Sequence, residues 1–374
     1  MRNRLALDGA RGPPYAGQDN VSGFRSNGLD RQKFQLRRAV KRAGVLSAFA
    51  AAVTLCAIEG QTCTTQARMS DTVRTDLSGA AMNLATLIKA GDSAKVEAVT
   101  IADFASPTAF AATAALIQST APKVAGDALR VEQVYELDAR GRKAGETTDA
   151  DFSCALTGTT SEADFSISGL PPGMYGFAMV EATGDRNWLL AFLLRQDDGV
   201  WKLAGFYPRA RTVGGHDGLW YWTEARSHAK AKELWTAWLF YGEADELLRP
   251  ANFLTSTNLD RLRSEQRVAA PPELINDIGP NHPLVVKGSD GTEYRFSSIG
   301  TAGSEDGKQL NMILHLSADS ISDPAAAKIR SKAAAAALID AHKELRQDVS
   351  NVWVFVDSRG HEPFVTEEAI ADIP

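Results

Sequence analysis

The chain is poor in the residues that build the commonest reactive sites. It holds three cysteines and six histidines in 374 residues. His216, His228, His282, His315, His342 and His361 lie too far apart for the i, i+2 or i, i+4 pairing of a metal site, and no Cys-x-x-Cys occurs, so neither metal nor cofactor is expected. A Gly-x-Ser-x-Gly elbow, a phosphate-binding loop and a dinucleotide fingerprint are all missing. The glycines around Gly173 and Gly214 lack the strand-to-helix context such loops require. Blocks of like charge are missing too: 46 acidic and 40 basic residues are interspersed to a net charge of −6, which leaves no footprint for nucleic acid. What is present is the composition of a globular protein, 44% hydrophobic and 23% charged.

The N-terminal part reads differently. Residues 1–42 are rich in arginine, glycine and polar side chains and cannot supply a core. Arg37, Arg38, Lys41 and Arg42 form a basic cluster, and Ala43 to Ile58 follows without a charge. At helical rise that run spans about 24 Å, short of the roughly 30 Å hydrocarbon layer, which favours the apolar region of a signal peptide. A retained anchor helix over Ala43–Ile58 is the alternative. Thr65-Gln66-Ala67 has the small-x-small pattern of a processing site, so residues 43–67 are assigned to the export segment. Arg37-Arg38 loosely resembles a twin-arginine signal but lacks the flanking Ser or Thr and the Phe. Cys56 and Cys63 depart from a lipidation motif, Cys56 because Leu55 precedes it and Cys63 because the usual leucine is missing. The length before Arg37 suggests a start near Leu36. The expected location is periplasmic or secreted, with an inner-membrane tether as the variant. Processing at Ala67 leaves Cys154 alone, so no disulfide is expected, and Cys154 reads as a small buried hydrophobe.

Beyond the leader, the pattern is α+β. Helices are expected from Ser70 to about Ala90 and from Pro107 to Ser119, then strands over Leu129–Leu137, Phe152–Leu156 and Phe165–Ile167. Met174–Glu181, Trp188–Arg195 and Val200–Tyr207 form an antiparallel meander, joined by hairpin turns at Thr183–Arg186 and Gln196–Gly199. Two helices are expected at Gly218–Lys230 and Glu233–Leu248, with some helix around Asn258–Gln266. A small α+β domain over 284–374 places one long helix, Pro324 to Gln347, on an antiparallel sheet. Its inward stripe is Ile329, Ala333, Ala336, Leu338, Ala341 and Leu345. Val352 to Val356 reads as a central strand buried on both faces.

The strand Asp198-Gly-Val-Trp-Lys-Leu-Ala-Gly-Phe206, after two helices and a twisted meander, resembles the NTF2-like (cystatin-like cone) superfamily over residues 70–211. That resemblance implies a conical apolar pocket, in families that include isomerases, dehydratases and non-catalytic binding domains. The isomerase acid-base positions find no counterparts here. Tyr221, Ala225, Ala237, Tyr241 and Ala244 resemble one tetratricopeptide unit within the hairpin segment 212–268, and one unit cannot stack into a solenoid.

Candidate site residues follow from these segments. His216, in Gly214-Gly-His-Asp-Gly218, is the candidate acid or base, and Arg209 and Arg211 offer an anion site. Trp220, Trp222, Trp235 and Trp238 could form a docking surface, or could pack inward as core. A turn at Asp357-Ser-Arg-Gly-His-Glu362 is the second polar cluster. The expected function is a non-enzymatic exported module that binds an envelope protein or a small apolar ligand. The alternatives are a cone-fold enzyme and a membrane-tethered assembly factor.

Overall fold

The computed structural model describes residues 61–103, 105–155, 162–318, 323–358 and 362–373. The expectations for the basic cluster, for Ala43–Ile58 and for Arg359, Gly360 and His361 lie outside the described residues. The first strand, β1 (Thr62–Thr65), is followed by a single 3-10 turn at Gln66–Arg68. Ser70 then accepts a hydrogen bond from the Val73 N–H at 3.3 Å and opens α1 (Asp71–Lys89), which stops before Gly91 at φ +69°. A short α2 (Ser93–Ala98), not expected from the sequence, is capped by Asp92. α3 (Pro107–Val124) runs past Ser119, because Pro122 removes only one backbone donor near its end.

The next strands are β2 (Ala128–Asp138), β3 (Asp149–Ala155), β4 (Glu162–Ser168), β5 (Met174–Thr183), β6 (Trp188–Asp197) and β7 (Val200–Ala210). Four of them join β1 in an antiparallel sheet of order β1-β2-β5-β6-β7. Along β6 every residue from Trp188 to Leu194 is buried, since both faces are covered. Leu190, Phe192 and Leu194 meet Leu77, Leu84 and Ile88 of α1 and Phe110 and Ile117 of α3. Leu189, Ala191 and Leu193 face the other way, into a core with Phe152, Phe165, Phe177 and Leu254.

That second face is closed by a three-stranded sheet, β10-β4-β3, whose outer member is β10 (Leu254–Ser256). A disulfide joins Cys63 on β1 to Cys154 on β3, with Cα atoms 5.3 Å apart across 91 residues of chain. This overturns the reading of Cys154 as an unpaired buried hydrophobe. It also places Thr62–Ala67, expected at the end of the export segment, in the folded body. Thr65 is buried opposite Tyr135, and the Gln66 Oε1 accepts the Val134 N–H at 3.0 Å.

A two-stranded ribbon, β8 (Thr212–Val213) with β9 (His216–Asp217), leads into α4 (Gly218–Ala231), capped by Asp217, and α5 (Leu234–Leu248). After β10 comes α6 (Thr257–Val268). The last sheet contains β11 (Leu284–Lys287), β12 (Glu293–Gly303), β13 (Leu310–Ser317), β14 (Asn351–Asp357) and β15 (Phe364–Ala369), in sequential order. It is not wholly antiparallel. β13 and β14 run parallel, because α7 (Pro324–Ala341) and the short α8 (Leu345–Asp348) carry the chain back between them. On β14 only Val352, Val354 and Val356 are fully buried; Trp353 and Phe355 are half-exposed, so the strand has one core face. The inward stripe of α7 is Ala327, Ser331, Ala334, Ala335, Leu338 and Ile339, whereas Ile329 is 72% exposed.

The aromatic hairpin and the last sheet share one core, in which Tyr221, Trp235, Phe240 and Tyr241 meet Phe296, Met312 and Val354. Residues Gln61–Pro374 form one compact α+β unit.

Candidate functional site

The sequence-predicted residues do not converge on one point. Arg209, on β7, donates to Glu246 of α5 and, at 2.7 Å, to the Asn252 Oδ1. Arg211 pairs with Glu132 of β2. Their charges are already opposed by carboxylates, which leaves little field for an added anion. His216 lies flat on Trp220, ring centroids 3.6 Å apart.

The tryptophans turn mostly inward. Trp222 is buried, and its indole N–H donates to the Glu265 Oε2 at 2.8 Å. Trp235 is buried against His342, 4.2 Å between centroids. Trp220 and Trp238 are half-buried against the same core. Neither Trp222 nor Trp235 presents an indole face for docking. Apolar side chains on α4 and α5 found their burial in the C-terminal sheet, as the hydrophobic effect dictates for an aromatic hairpin with a neighbour.

Two polar centres were not visible in the sequence. The first is Glu243, on the buried face of α5 and 3% exposed. Its Oε2 accepts the Thr301 hydroxyl at 2.6 Å, and burial pushes its carboxyl up to about 7. Arg186, from the β5–β6 turn, tempers this by its charge, and Glu246 adds to it. Arg186 itself donates to the Thr212 carbonyl at 3.0 Å and reaches the Glu305 carbonyl in the β12–β13 turn at 3.4 Å. Nearby, the Tyr221 hydroxyl donates to the Val213 carbonyl at 3.1 Å. Burial beside Glu243 raises the Tyr221 phenol far above its ordinary range. This centre has acid-base capacity but is sealed from solvent.

The second is an open groove of about 660 Å³ over α4, α5 and α6, lined by Arg226, Ser227, Lys230, Lys232, Tyr241 and Glu265 among others. Glu265 is saturated: Arg226 donates to it through Nε (2.7 Å) and Nη2 (2.9 Å), Arg261 at 3.0 Å, and the Trp222 indole also donates. These donors, Arg226 first, hold the Glu265 carboxyl down to about 2. Arg226 also lies over the Trp222 ring, 4.6 Å from its centroid.

Of the second predicted polar cluster, Asp357 is placed at the end of β14, where its Oδ2 meets the His315 Nδ1 at 2.9 Å. Phe355 stacks on the same imidazole at 4.9 Å. Among the described residues no group of three or more His, Cys, Asp or Glu is arranged to hold a metal ion. No helix among them is long and apolar enough to cross a membrane.

Comparison with protein families, with curated proteins and with solved structures finds no match to the chain.

Proposed function

We propose that this chain is an exported envelope protein that binds a protein partner and performs no chemistry of its own. The Cys63–Cys154 disulfide carries the compartment part of that reading. Structural disulfides form and persist in oxidising surroundings and are rare where thiols are kept reduced. The basic cluster and the uncharged run before Glu59 agree with delivery to such a compartment.

Binding is favoured over catalysis by how the interior is filled. Side chains occupy both faces of the five-stranded sheet, with Leu77, Phe110 and Phe192 on one side and Phe152, Phe165 and Phe177 on the other. The space that a cone-fold enzyme or an apolar-ligand carrier would keep open is taken by core. Three helices on one face of a twisted antiparallel sheet are what supports the NTF2-like resemblance for residues 70–211. Glu243, the carboxyl that burial raises most among the described residues, has no solvent route for a substrate at 3% exposure.

β1 begins at Thr62, so only Glu59, Gly60 and Gln61 separate it from the apolar run. The test is fractionation of a native-type host with thiols trapped by alkylation at lysis. Periplasmic or membrane-attached protein with Cys63 and Cys154 oxidised is expected. Cytoplasmic protein with both thiols free would sink the proposal.

A further inference from the structure

We propose that the groove over α4, α5 and α6 docks an acidic peptide segment of the partner, whose carboxylates are taken by Lys230, Lys232 and the Nη1 edge of Arg226. The inference rests on the binding reading above and gives it a place and a chemistry.

Hydrogen-bond satisfaction points this way. The one carboxylate lining the groove, Glu265, is engaged by Arg226, Arg261 and Trp222. Arg226 spends Nε and Nη2 on Glu265, which leaves Nη1 for another acceptor. Lys230 and Lys232 are exposed on the rim, and no ion pair holds either one among the described residues. The Ser227 hydroxyl adds a further donor. Two exposed lysines, the spare edge of Arg226 and one internally neutralised carboxylate make a trough of net positive charge, richer in donors than in acceptors, so its complement is an oxyanion-bearing ligand. The groove is open to solvent and not enclosed, which suits an extended peptide better than a small molecule that must bury most of its surface.

Lys232 supplies a second observation. Its N–H donates to Ala229 O and the Glu233 N–H donates to His228 O, the bond pair of a Schellman helix end. Lys232 stands at the left-handed position of that motif, φ +70°, where glycine is the residue of least strain. The other non-glycine residues at positive φ among the described residues are Asp198 and Asp277, and aspartate tolerates this conformation far better than lysine. A lysine held there at the rim is explained if its ammonium is used.

The experiment is a fluorescence-anisotropy titration of the intact protein with a short labelled Asp/Glu-rich peptide at low salt. Lysine-rich and neutral peptides serve as controls. Wild-type protein is expected to bind the acidic peptide alone, and salt should weaken the complex. The double variant K230E/K232E should bind it at least roughly tenfold more weakly. K232G separates function from fold: glycine suits the helix end, so its melting temperature should stay level or rise while peptide affinity drops. Equal affinity in wild type and K230E/K232E would overturn the proposal, as would no binding at low salt. Binding of phosphatidylglycerol vesicles in place of the peptide would overturn it as well. Any of these results, with the protein still oxidised and exported, removes the groove and leaves the compartment reading standing.

Discussion

Cys63 and Cys154 are joined across 91 residues, and their bond ties the edge strand β1 to β3 in the small sheet that closes the second face. It closes a long loop, and long loops lose the most unfolded-state entropy on closure. Replacing the pair by serine is expected to lower stability by up to about 4.6 kcal/mol in the chain-entropy picture. Urea unfolding with and without reductant measures this. Reductant should shift the wild-type midpoint and leave that of C63S/C154S in place.

The same contact sets a limit on processing. A chain beginning at Arg68 would lack Cys63, the ladder from Thr62 to Thr65, and the Gln66 bond to the Val134 N–H. N-terminal sequencing of the protein from a native-type host should therefore find a start before Cys63. A truncated form starting at Arg68 should unfold at lower urea than one starting at Gln61, by more than the disulfide alone accounts for.

Glu243 makes stability depend on pH. Its carboxyl is raised to about 7 in the folded protein from an ordinary value near 4.5. Between those two pH values the folded state keeps a proton that the unfolded chain releases, so stability falls as pH rises through that window. The full difference is about 3 kcal/mol, present below pH 4.5 and lost above 7. E243Q should match wild type near pH 4 and exceed it by up to about 3 kcal/mol at pH 8. Unfolding curves of both proteins at the two pH values decide it, since the difference between them cancels the other titrating groups.

Arg142 is buried to 1% side-chain exposure and donates to three backbone carbonyls: Leu170 at 2.8 Å, Asp149 at 3.1 Å and Thr148 at 2.6 Å. It holds the β2–β3 connection against the chain that leads into β5. R142A strands those acceptors and should cost about 3 kcal/mol. R142K should recover little, because one ammonium cannot reproduce a planar fork aimed at three oxygens. Thermal melts of the two variants are the measurement.

Turn and cap chemistry made much of the fold legible in advance. Asp198 and Gly199, both at positive φ, form the turn that their sequence implies, and β6 and β7 extend from it. Ser70 and Asp217 cap α1 and α4 as their positions suggest. Periodicity failed where contrast failed. α7 is alanine at so many positions that a stripe through Ile329 fits as well as the true one, and only contact with β14 and β15 decides between them. The continuous apolar run at Val352–Val356 suggested two buried faces, yet it is β6 that is covered on both sides. The disulfide was hidden by assigning Cys63 to the leader, which left Cys154 without a partner to count. The groove was hidden for a different reason: Arg226 and Glu265 meet only when α6 folds back on α4, a contact no local pattern encodes. Lys232 left the single local trace, a lysine where a helix end would favour glycine.

Chains appear N-terminus first, and β1 is therefore the earliest described strand to exist and among the last to be secured. Its partner β2 follows well after it, and Cys154 arrives 91 residues after Cys63. At ordinary synthesis rates that interval is roughly five to twenty seconds. On the exported reading Cys63 reaches the oxidising compartment ahead of Cys154, and until its partner arrives it is a thiol open to exchange. Correct maturation thus depends on timing or on a thiol-disulfide isomerase, and the yield of native protein should track whichever enzyme reshuffles mispaired cysteines in the host.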